Sequence, residues 1–586
     1  MDSTSITQKI RAIAFVCFVG SVLGFIYYYA TTPIADPDFW WHLKTGELMA
    51  QKGGLLQADP FTFTGDGVVS SREKIILTGY WLWQSIAFYL YSQTGFNGIF
   101  FLNFIVISAT IGVIAYQMRS QRISLTIACP LLVIGLIPFH DTHMLERPQI
   151  VSFLFATLLL GFLSKIRDDG RLGWTLPLLM AFWANIHGGF LVGDLILFCF
   201  ATGVLYEYRK DLSRARQLLI WVAVGIAASL LSPNSWRVFG EILSFSGSEL
   251  QTGVNEYLST WIKFKSGDWS MGLLWLLIAL YGIGTGISRR LYLPELLTAL
   301  FLALFSAVYV RNVGFFALPM LPVIAYHLQQ GAQRHSRRIS PLASALVLVA
   351  AMSSLLWQTN ILRDAHAGKS DISTFYPKKS SDFILASELQ GRMFNSYTYG
   401  GYQLWRLYPQ HQVFIDGRGM DTEVYNDYIL ITSVSSEKVD GRKEYEVLLD
   451  RYQIDYVVQP IIFPDTGRLT PLQKRLLLKP DWTPVYLDEK TYILIRDTEK
   501  NSTVIKRHRI DKRLFVNKVA DHLRSFAQSS PTDVKFQIGL TEMLIYIGRY
   551  AEAEKHLAII EKLAPGHPEM ASLQNQLEVL RGGKKR

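Results

Sequence analysis

The sequence predicts a polytopic α-helical membrane protein followed by an α/β domain and a short helical tail. Three observations carry that expectation. Half of the 586 residues are hydrophobic and only 18% are charged. The averages conceal a division, because residues 11–361 are repeated apolar runs with charged punctuation, whereas 362–586 have the mixed character of soluble domains. The basic residues also fall at the ends of alternate apolar runs. The expected organisation is a transmembrane domain over 1–361, with its first outer loop at 31–78. An extracytoplasmic α/β domain over 362–500 and a tetratricopeptide-like helical region over 501–586 follow.

A span needs about 20 largely apolar residues to cross about 30 Å of hydrocarbon. Eleven segments qualify: 11–30, 97–117, 123–139, 148–165, 172–186, 189–207, 216–232, 269–287, 291–310, 312–329 and 340–361. Segment 79–94 is apolar but short, and reads as a helix lying along the interface or entering the bilayer at an angle. No small-x-small cleavage site clearly ends the first run and further spans follow, so it reads as a retained anchor.

Orientation follows from Lys and Arg, which stay on the cytoplasmic side. With the N-terminus inside, the inner segments carry Lys9 and Arg11, Arg119 and Arg122, and Lys165, Arg167 and Arg171. Arg209, Lys210, Arg214 and Arg216, then Arg289 and Arg290, then Arg334, Arg337 and Arg338 complete the set. The short outer connections hold fewer: Arg147, Arg237 with Lys263 and Lys265, and Arg311. This threading places 362–586 outside, which in a Gram-negative bacterium is the periplasm. It also accounts for the net charge of +10 without nucleic acid. Cys17, Cys129 and Cys199 lie inside apolar runs and imply neither a disulfide framework nor a metal site.

Polar residues gather on the outer side of this topology. The first outer loop contributes Asp36, Asp38, His42 and Asp59, and the next long turn contributes His140, His143, Glu146 and Arg147. Asn185 and His187 follow, then Arg237 and Arg311. Charged groups at membrane depth are costly unless they face a cavity, partner or ligand. Any one of these residues reads adequately as an ordinary loop residue in water. The set reads less well that way, because His140–Arg147 and Arg311 interrupt apolar sequence beside span ends. A carboxylate can take a proton from an attacking hydroxyl, and a guanidinium can hold a phosphate through its fork of donors. Carboxylates near solitary arginines therefore suit a reaction on an anionic, lipid-linked substrate.

The first loop reads Asp36-Pro-Asp-Phe-Trp-Trp-His-Leu-Lys-Thr-Gly-Glu47, with Asp59-Pro60 further on. It resembles the first outer loop of the GT-C superfamily of membrane glycosyltransferases, which include the protein O-mannosyltransferases and the aminoarabinose transferases of lipid A. In that superfamily an acid just after the first span opens a short amphipathic helix and serves as base or substrate ligand. The resemblance implies that role for Asp38, with Asp36 as the alternative and Asp59 as a second acid before a proline. Tyr80, Trp81 and Trp83 look like the segment leading into the second span. The Glu146-Arg-Pro-Gln149 and Asn185-Ile-His-Gly-Gly189 turns, Asn395-Ser-Tyr-Thr-Tyr-Gly-Gly401 and Phe414-Ile-Asp-Gly-Arg418 are similar to those of a bacterial group within or beside the superfamily. What the resemblance implies is transfer of a sugar from a polyprenyl-phosphate-linked donor to an envelope lipid, glycan or protein. A divalent metal, Mg or Mn, is left open as cofactor. One departure is that Phe39, not an acid, follows Asp38. The second carboxylate lies upstream across Pro37, and an extended loop there would turn the two side chains apart.

In the outer domain, Gln412–Asp416 and Asp455–Gln459 read as buried strands, and 483–487 with 492–496 as a hairpin. Asp416 and Arg418 either reach a ligand or pair with each other. Tyr397, Tyr399, Tyr402 and Trp405 either stack on carbohydrate or fill the core. Residues 538–565 resemble one tetratricopeptide unit that packs between helices at 512–527 and 568–581, and 512–582 binds a protein partner or caps the chain. Two other functions compete with glycosyl transfer. A transporter or flippase would bury charges mid-span, as Asp194 and Glu295 partly suggest, and a non-catalytic scaffold would act through the helical tail.

Overall fold

The computed structural model describes residues 3–65, 69–140, 146–169, 172–211, 213, 215–245, 257–334, 341–365, 371–419, 421–439, 441–463 and 466–582. They divide into two compact units, one of 1–58 with 69–373 and the other of 59–68 with 374–586. The second unit takes up the chain again at Thr374. The stretch 59–68 of the first outer loop belongs with the second unit.

The first unit is helical. Its helices begin with α1 (Ser3–Ala30), α2 (Pro37–Lys52), α3 (Ser71–Thr78), α4 (Trp81–Thr94), α5 (Phe96–Ser120) and α6 (Leu125–His140). They continue through α7 (Gln149–Asp169), α8 (Thr175–Ile186), α9 (Phe190–Glu207), α10 (Arg216–Ser229) and α11 (Arg237–Phe245). Further long helices occupy Ser270–Ser288, Leu293–Val308, Leu321–Arg334 and Pro341–Ala365. Apart from 312–329, each expected span coincides largely with one helix, though the helices differ in reach. Phe96–Ser120, Gln149–Arg167, Phe190–Glu207 and Ser270–Ser288 are long and apolar enough to cross a membrane unaided. Six other apolar helices are shorter. The expected span 312–329 is broken: a 3₁₀ turn at Val310–Asn312 leads into Val313–Ala317, and the next helix starts at Leu321. The break brings Arg311 to a turn, where its polar head avoids hydrocarbon. One continuous apolar core joins the helices, from Phe25 and Ile111 through Leu159, Trp183 and Leu274 to Leu321.

Local chemistry explains the elements that matter for the site. Asp36 caps α2, its side chain accepting the N–H of Asp38, and Pro37 supplies a pre-set φ at the first helical position. Gly53 ends the helix in the left-handed region at φ 69°. Within α2, Gly46 lies against α4 so closely that a Cβ would collide with the carbonyl of Gln84.

The second unit contains a four-stranded sheet of β1 (Arg392–Asn395), β4 (Ile454–Pro460), β6 (Thr491–Arg496) and β5 (Trp482–Leu487), adjacent in that order. A separate two-stranded ribbon pairs β2 (Lys438–Val439) with β3 (Arg442–Lys443). β1 runs parallel to β4, and β6 is antiparallel to both β4 and β5. The expected strand at 455–459 and the expected hairpin are present. The expected strand Gln412–Asp416 is not a strand: only Val413 bridges, to Thr62 in the loop segment. That stretch is apolar because it is buried against Asn395 and Phe394 rather than because it belongs to the sheet.

Four helices end this unit, Ser502–His508, Lys512–Ser529, Val534–Tyr546 and Tyr550–Leu563, before a last one over Pro568–Gly582. The last four pack in succession, as the helical-pair pattern of the sequence implies. The boundary expected at 500/501 marks a change of secondary structure, but a single core runs across it. Phe515, Leu523, Ile538 and Leu544 share that core with Leu472, Trp482 and Leu494 of the sheet domain. Arg468 and Lys474 both bind the buried carboxylate of Glu542 across the same seam.

Candidate active site

The first unit assembles its polar residues around the N-terminus of α2. Asp36 is employed at both oxygens, one accepting the Asp38 N–H at 2.8 Å. The other lies 2.5 Å from Nε of Arg147. The same guanidinium reaches Asp38 Oδ2 from Nη2 at 3.2 Å. The two carboxylates are therefore not turned apart by Pro37. The proline starts a helix, whose first turn brings residues 36 and 38 to one cation. Their environments differ: the Asp36 side chain is 1% exposed and that of Asp38 is 21% exposed. Asp38 is thus the more accessible acid of the pair, and Asp36 the buried one that caps α2 and binds Arg147.

Glu146 sits buried behind this pair, and burial followed by the nearby Asp36 raises its carboxyl to about 8. It stays protonated at neutral pH, so it adds no third negative charge beside Arg147.

Two histidines complete the cluster in neutral form. Burial, assisted by the charges of Arg311 and Arg147, lowers His187 to about 3. Its Nδ1 accepts the N–H of Gly189 at 3.0 Å and lies 2.7 Å from Ser152 Oγ. Trp183 Nε1 donates to that same Oγ at 2.7 Å. With Nδ1 committed as acceptor, the proton of the neutral ring belongs on Nε2, which makes His187 a hydrogen-bond donor. Gly189 permits this, since a Cβ there would lie 2.7 Å from His187 Nδ1 and 2.5 Å from Ser152 Oγ. His42 is lowered by burial first, then by Arg147 and His187. Its Nδ1 lies 3.3 Å from Gln84 Nε2.

Arg311 supplies a second cation. Its Nη1 donates to the hydroxyl of Tyr257 at 2.7 Å, and its carbonyl accepts from Gln149 Nε2 at 2.7 Å. Tyr80 joins the groups: its ring centroid is 5.0 Å from that of His42 and 5.8 Å from that of His187. Arg311, Asp38 and Arg147 all act electrostatically on its hydroxyl. Next to Tyr80, Trp81 Nε1 donates to Asn185 Oδ1 at 2.8 Å. Trp81 and Asn185 also line a largely apolar cavity of about 620 Å³, together with Met49, Phe88 and Leu231. This cavity thus adjoins the polar cluster through Trp81 and Asn185.

Of the residues expected from sequence, Asp36, Asp38, His42, Glu146, Arg147, His187 and Arg311 come together in this cluster, with Asn185 at its edge. Arg237 does not share their surroundings; it is exposed at the start of α11. The His140 side chain and His143 lie outside the described residues. Asp59, Asp416 and Arg418 form a separate centre within the second unit. Arg418 binds Asp59 at 2.6 Å and Asp416 at 2.6 Å, and all three side chains are buried. Asp59 also accepts from the backbone of Phe61 and Thr62 and from the Thr62 hydroxyl. Burial raises its carboxyl, but the Arg418 charge and these bonds outweigh burial and the net shift is downward. Asp59 is thus occupied as a structural ion, which leaves it unsuited to the supporting catalytic role. The Asp416–Arg418 pairing foreseen as the simpler alternative is present, with Asp59 as its third member. Tyr399 and Tyr402 are core residues, 3% and 1% exposed.

Ser152 and Tyr257 carry no signal in the sequence that selects them, whereas Gln149 closes the Glu146-Arg-Pro-Gln149 turn already singled out. Ser152 is one of the hydroxyl residues of α7, with Thr157 and Ser164, and such residues usually bond their own helix, as Thr157 does to Phe153. A divalent metal does not suit the donor set of the cluster. The carboxylates are joined by Arg147, and among the described residues no three His, Cys, Asp or Glu gather as ligands.

Two solved structures of ArnT from Cupriavidus metallidurans are similar to this chain, each at 12% identity. The one bound to undecaprenyl phosphate has a TM-score of 0.48 and covers 85% of this chain and 99% of that chain. The one in the apo state has a TM-score of 0.47, with coverages of 84% and 98%. No family model and no curated protein matches the chain.

Proposed function

We propose that the chain is a GT-C-type membrane glycosyltransferase that uses a polyprenyl-phosphate-linked sugar. It passes that sugar to a lipid, glycan or protein acceptor of the cell envelope on the extracytoplasmic face. The protein is a multi-pass component of a bacterial inner membrane, N-terminus inside and C-terminus outside. The observation that carries this reading is the Asp36–Arg147–Asp38 cluster on the first turn of α2, with neutral His187 and cationic Arg311 in the same surroundings.

In this reaction Asp38 takes the proton from the acceptor hydroxyl or amine as that atom bonds to the anomeric carbon. The bond from that carbon to the phosphate oxygen breaks, and the electron pair leaves with the polyprenyl phosphate. Arg311 and the His187 Nε2–H stabilise the charge developing on the leaving oxygen. Arg147 keeps Asp38 ionised and oriented, and Asp36 holds Arg147. The apolar cavity beside Trp81 takes the first isoprene units. Helices over 512–582 stabilise the outer unit and present Leu563, Val579 and Leu580 as the surface for a protein partner.

Comparison of lipid-linked intermediates and surface glycans in a deletion strain tests the reading. Complementation with the wild type restores the missing glycan, whereas Asp38→Asn, expressed at equal level, leaves the lipid-linked donor accumulated. Undiminished glycan in the Asp38→Asn strain removes Asp38 from the role.

A further inference from the structure

A second cavity, of about 1140 Å³, opens in the first unit at the other end of α7 from the site. Its mouth is lined by Lys165 and Arg167 of α7 and by Arg289 and Arg290, which follow the helix Ser270–Ser288. Lys165 is displaced from Gln149, next to Arg147, by about 24 Å along the helix. The proposed reaction has no use for cations there.

The construction of this cavity is amphipathic. Lys165 Nζ donates to the hydroxyl of Tyr116 at 3.1 Å and lies 5.0 Å from that ring's centroid. Arg167 lies 4.6 Å over the ring of Tyr292, and Arg290 donates to the hydroxyl of Tyr326 at 2.5 Å. The acid among the lining residues, Glu295, is bound by His327 at 2.8 Å. Away from the mouth the wall is apolar, with Ala109, Gly112 and Val113 on one side and Phe162 and Phe200 on the other. Between Ala109 and Gln121 the lining of α5 extends for about 18 Å. One leaflet of hydrocarbon is about 15 Å deep, half of the bilayer core. A Cβ on Gly112 would meet nothing within 4 Å, so the shaft is open there.

We propose that this cavity is a binding site for an anionic phospholipid of the adjoining leaflet. The headgroup phosphate sits at Lys165, Arg289 and Arg290, and one acyl chain runs down the shaft past Gly112. Basic pockets between helices suit such headgroups, and each cation near a charged surface contributes attraction to the phosphate. A soluble anion would use the mouth but gain nothing from the shaft. A zwitterionic lipid would use the shaft but lose the charge complementarity.

Native mass spectrometry of the full-length protein in micelles, titrated with phosphatidylglycerol, phosphatidylcholine or inorganic phosphate, tests this. The wild type should retain phosphatidylglycerol over phosphatidylcholine, and equimolar inorganic phosphate should not displace it. Arg289→Gly with Arg290→Gln should weaken phosphatidylglycerol roughly tenfold. Arg289 adopts φ 50°, where glycine is the less strained residue, so this loss is not a folding defect. Gly112→Leu, with every charge intact, should weaken the long-chain lipid and spare a dihexanoyl one. Equal retention of the two headgroups, variants that bind as the wild type does, or displacement by inorganic phosphate would each overturn the proposal.

Discussion

Asp36 accepts the backbone N–H of Asp38 at 2.8 Å, so the residue that caps α2 also sets the direction of the residue two positions on. The cap fixes the first turn, and the turn points both carboxylates at Arg147. The two acids therefore differ in setting: Asp36 is buried and organises the turn, and Asp38 is the more exposed.

Substitution should separate the two roles. Asp38→Asn should lower kcat by about 10²–10⁴-fold, the usual contribution of a general base, with little change in melting temperature. Asp36→Asn keeps a good cap but leaves the guanidinium without its buried partner. It should therefore destabilise the protein by ~3–5 kcal/mol as well as slow it. Steady-state kinetics and thermal unfolding of both variants check the split.

Stability should respond to pH through two groups with opposite signs. Glu146 holds its proton up to about 8 in the folded state against 4.5 ordinarily. The folded state binds the extra proton, so its contribution is fully present below pH 4.5 and lost as pH rises to about 8. His187 is lowered to about 3 from 6.5. The unfolded state then binds the extra proton, so this contribution is present above pH 6.5 and lost as pH falls towards 3. Glu146→Gln should flatten the alkaline side of the melting-temperature profile, and His187→Asn the acid side.

In the second unit, Arg418→Met should leave the Asp59 and Asp416 carboxylates buried without a cation. Breaking a buried pair from one side costs about 3–5 kcal/mol. Limited proteolysis should then cut within 59–65 and near 413–418, which the wild type resists.

Deletion of 502–586 strips Phe515, Leu523, Ile538 and Leu544 from a core shared with the sheet domain. The truncated protein should lose the outer unit to protease rather than merely lose a partner. Trypsin digestion of membranes followed by blotting for the 374–501 fragment measures this.

Much of the fold was legible because its cause is local. Apolar runs of span length became helices, whereas Pro37, read as extending the loop, instead opens a helix capped by Asp36. The hairpin over 482–496 could be read from alternation and a turn. What escaped the sequence depends on tertiary contact. Gln412–Asp416 has the composition of a strand but is buried without sheet pairing. Asp59 has the context of a supporting acid, and only the fold reveals that Arg418 claims it. The candidate site was legible in its charged members, since charge at membrane depth needs a reason. Ser152 and Tyr257 are ordinary residues on their own helix or turn, and acquire partners only through folding.

The most direct test of the central claim is equilibrium binding of a polyprenyl phosphate, the group that the proposed donor leaves behind, to the purified protein in nanodiscs. Saturable binding that Arg311→Met weakens by at least about tenfold is the predicted result, as expected when one charge-assisted phosphate contact is removed. Equal affinity in the wild type and Arg311→Met, or no binding to the wild type, would contradict it.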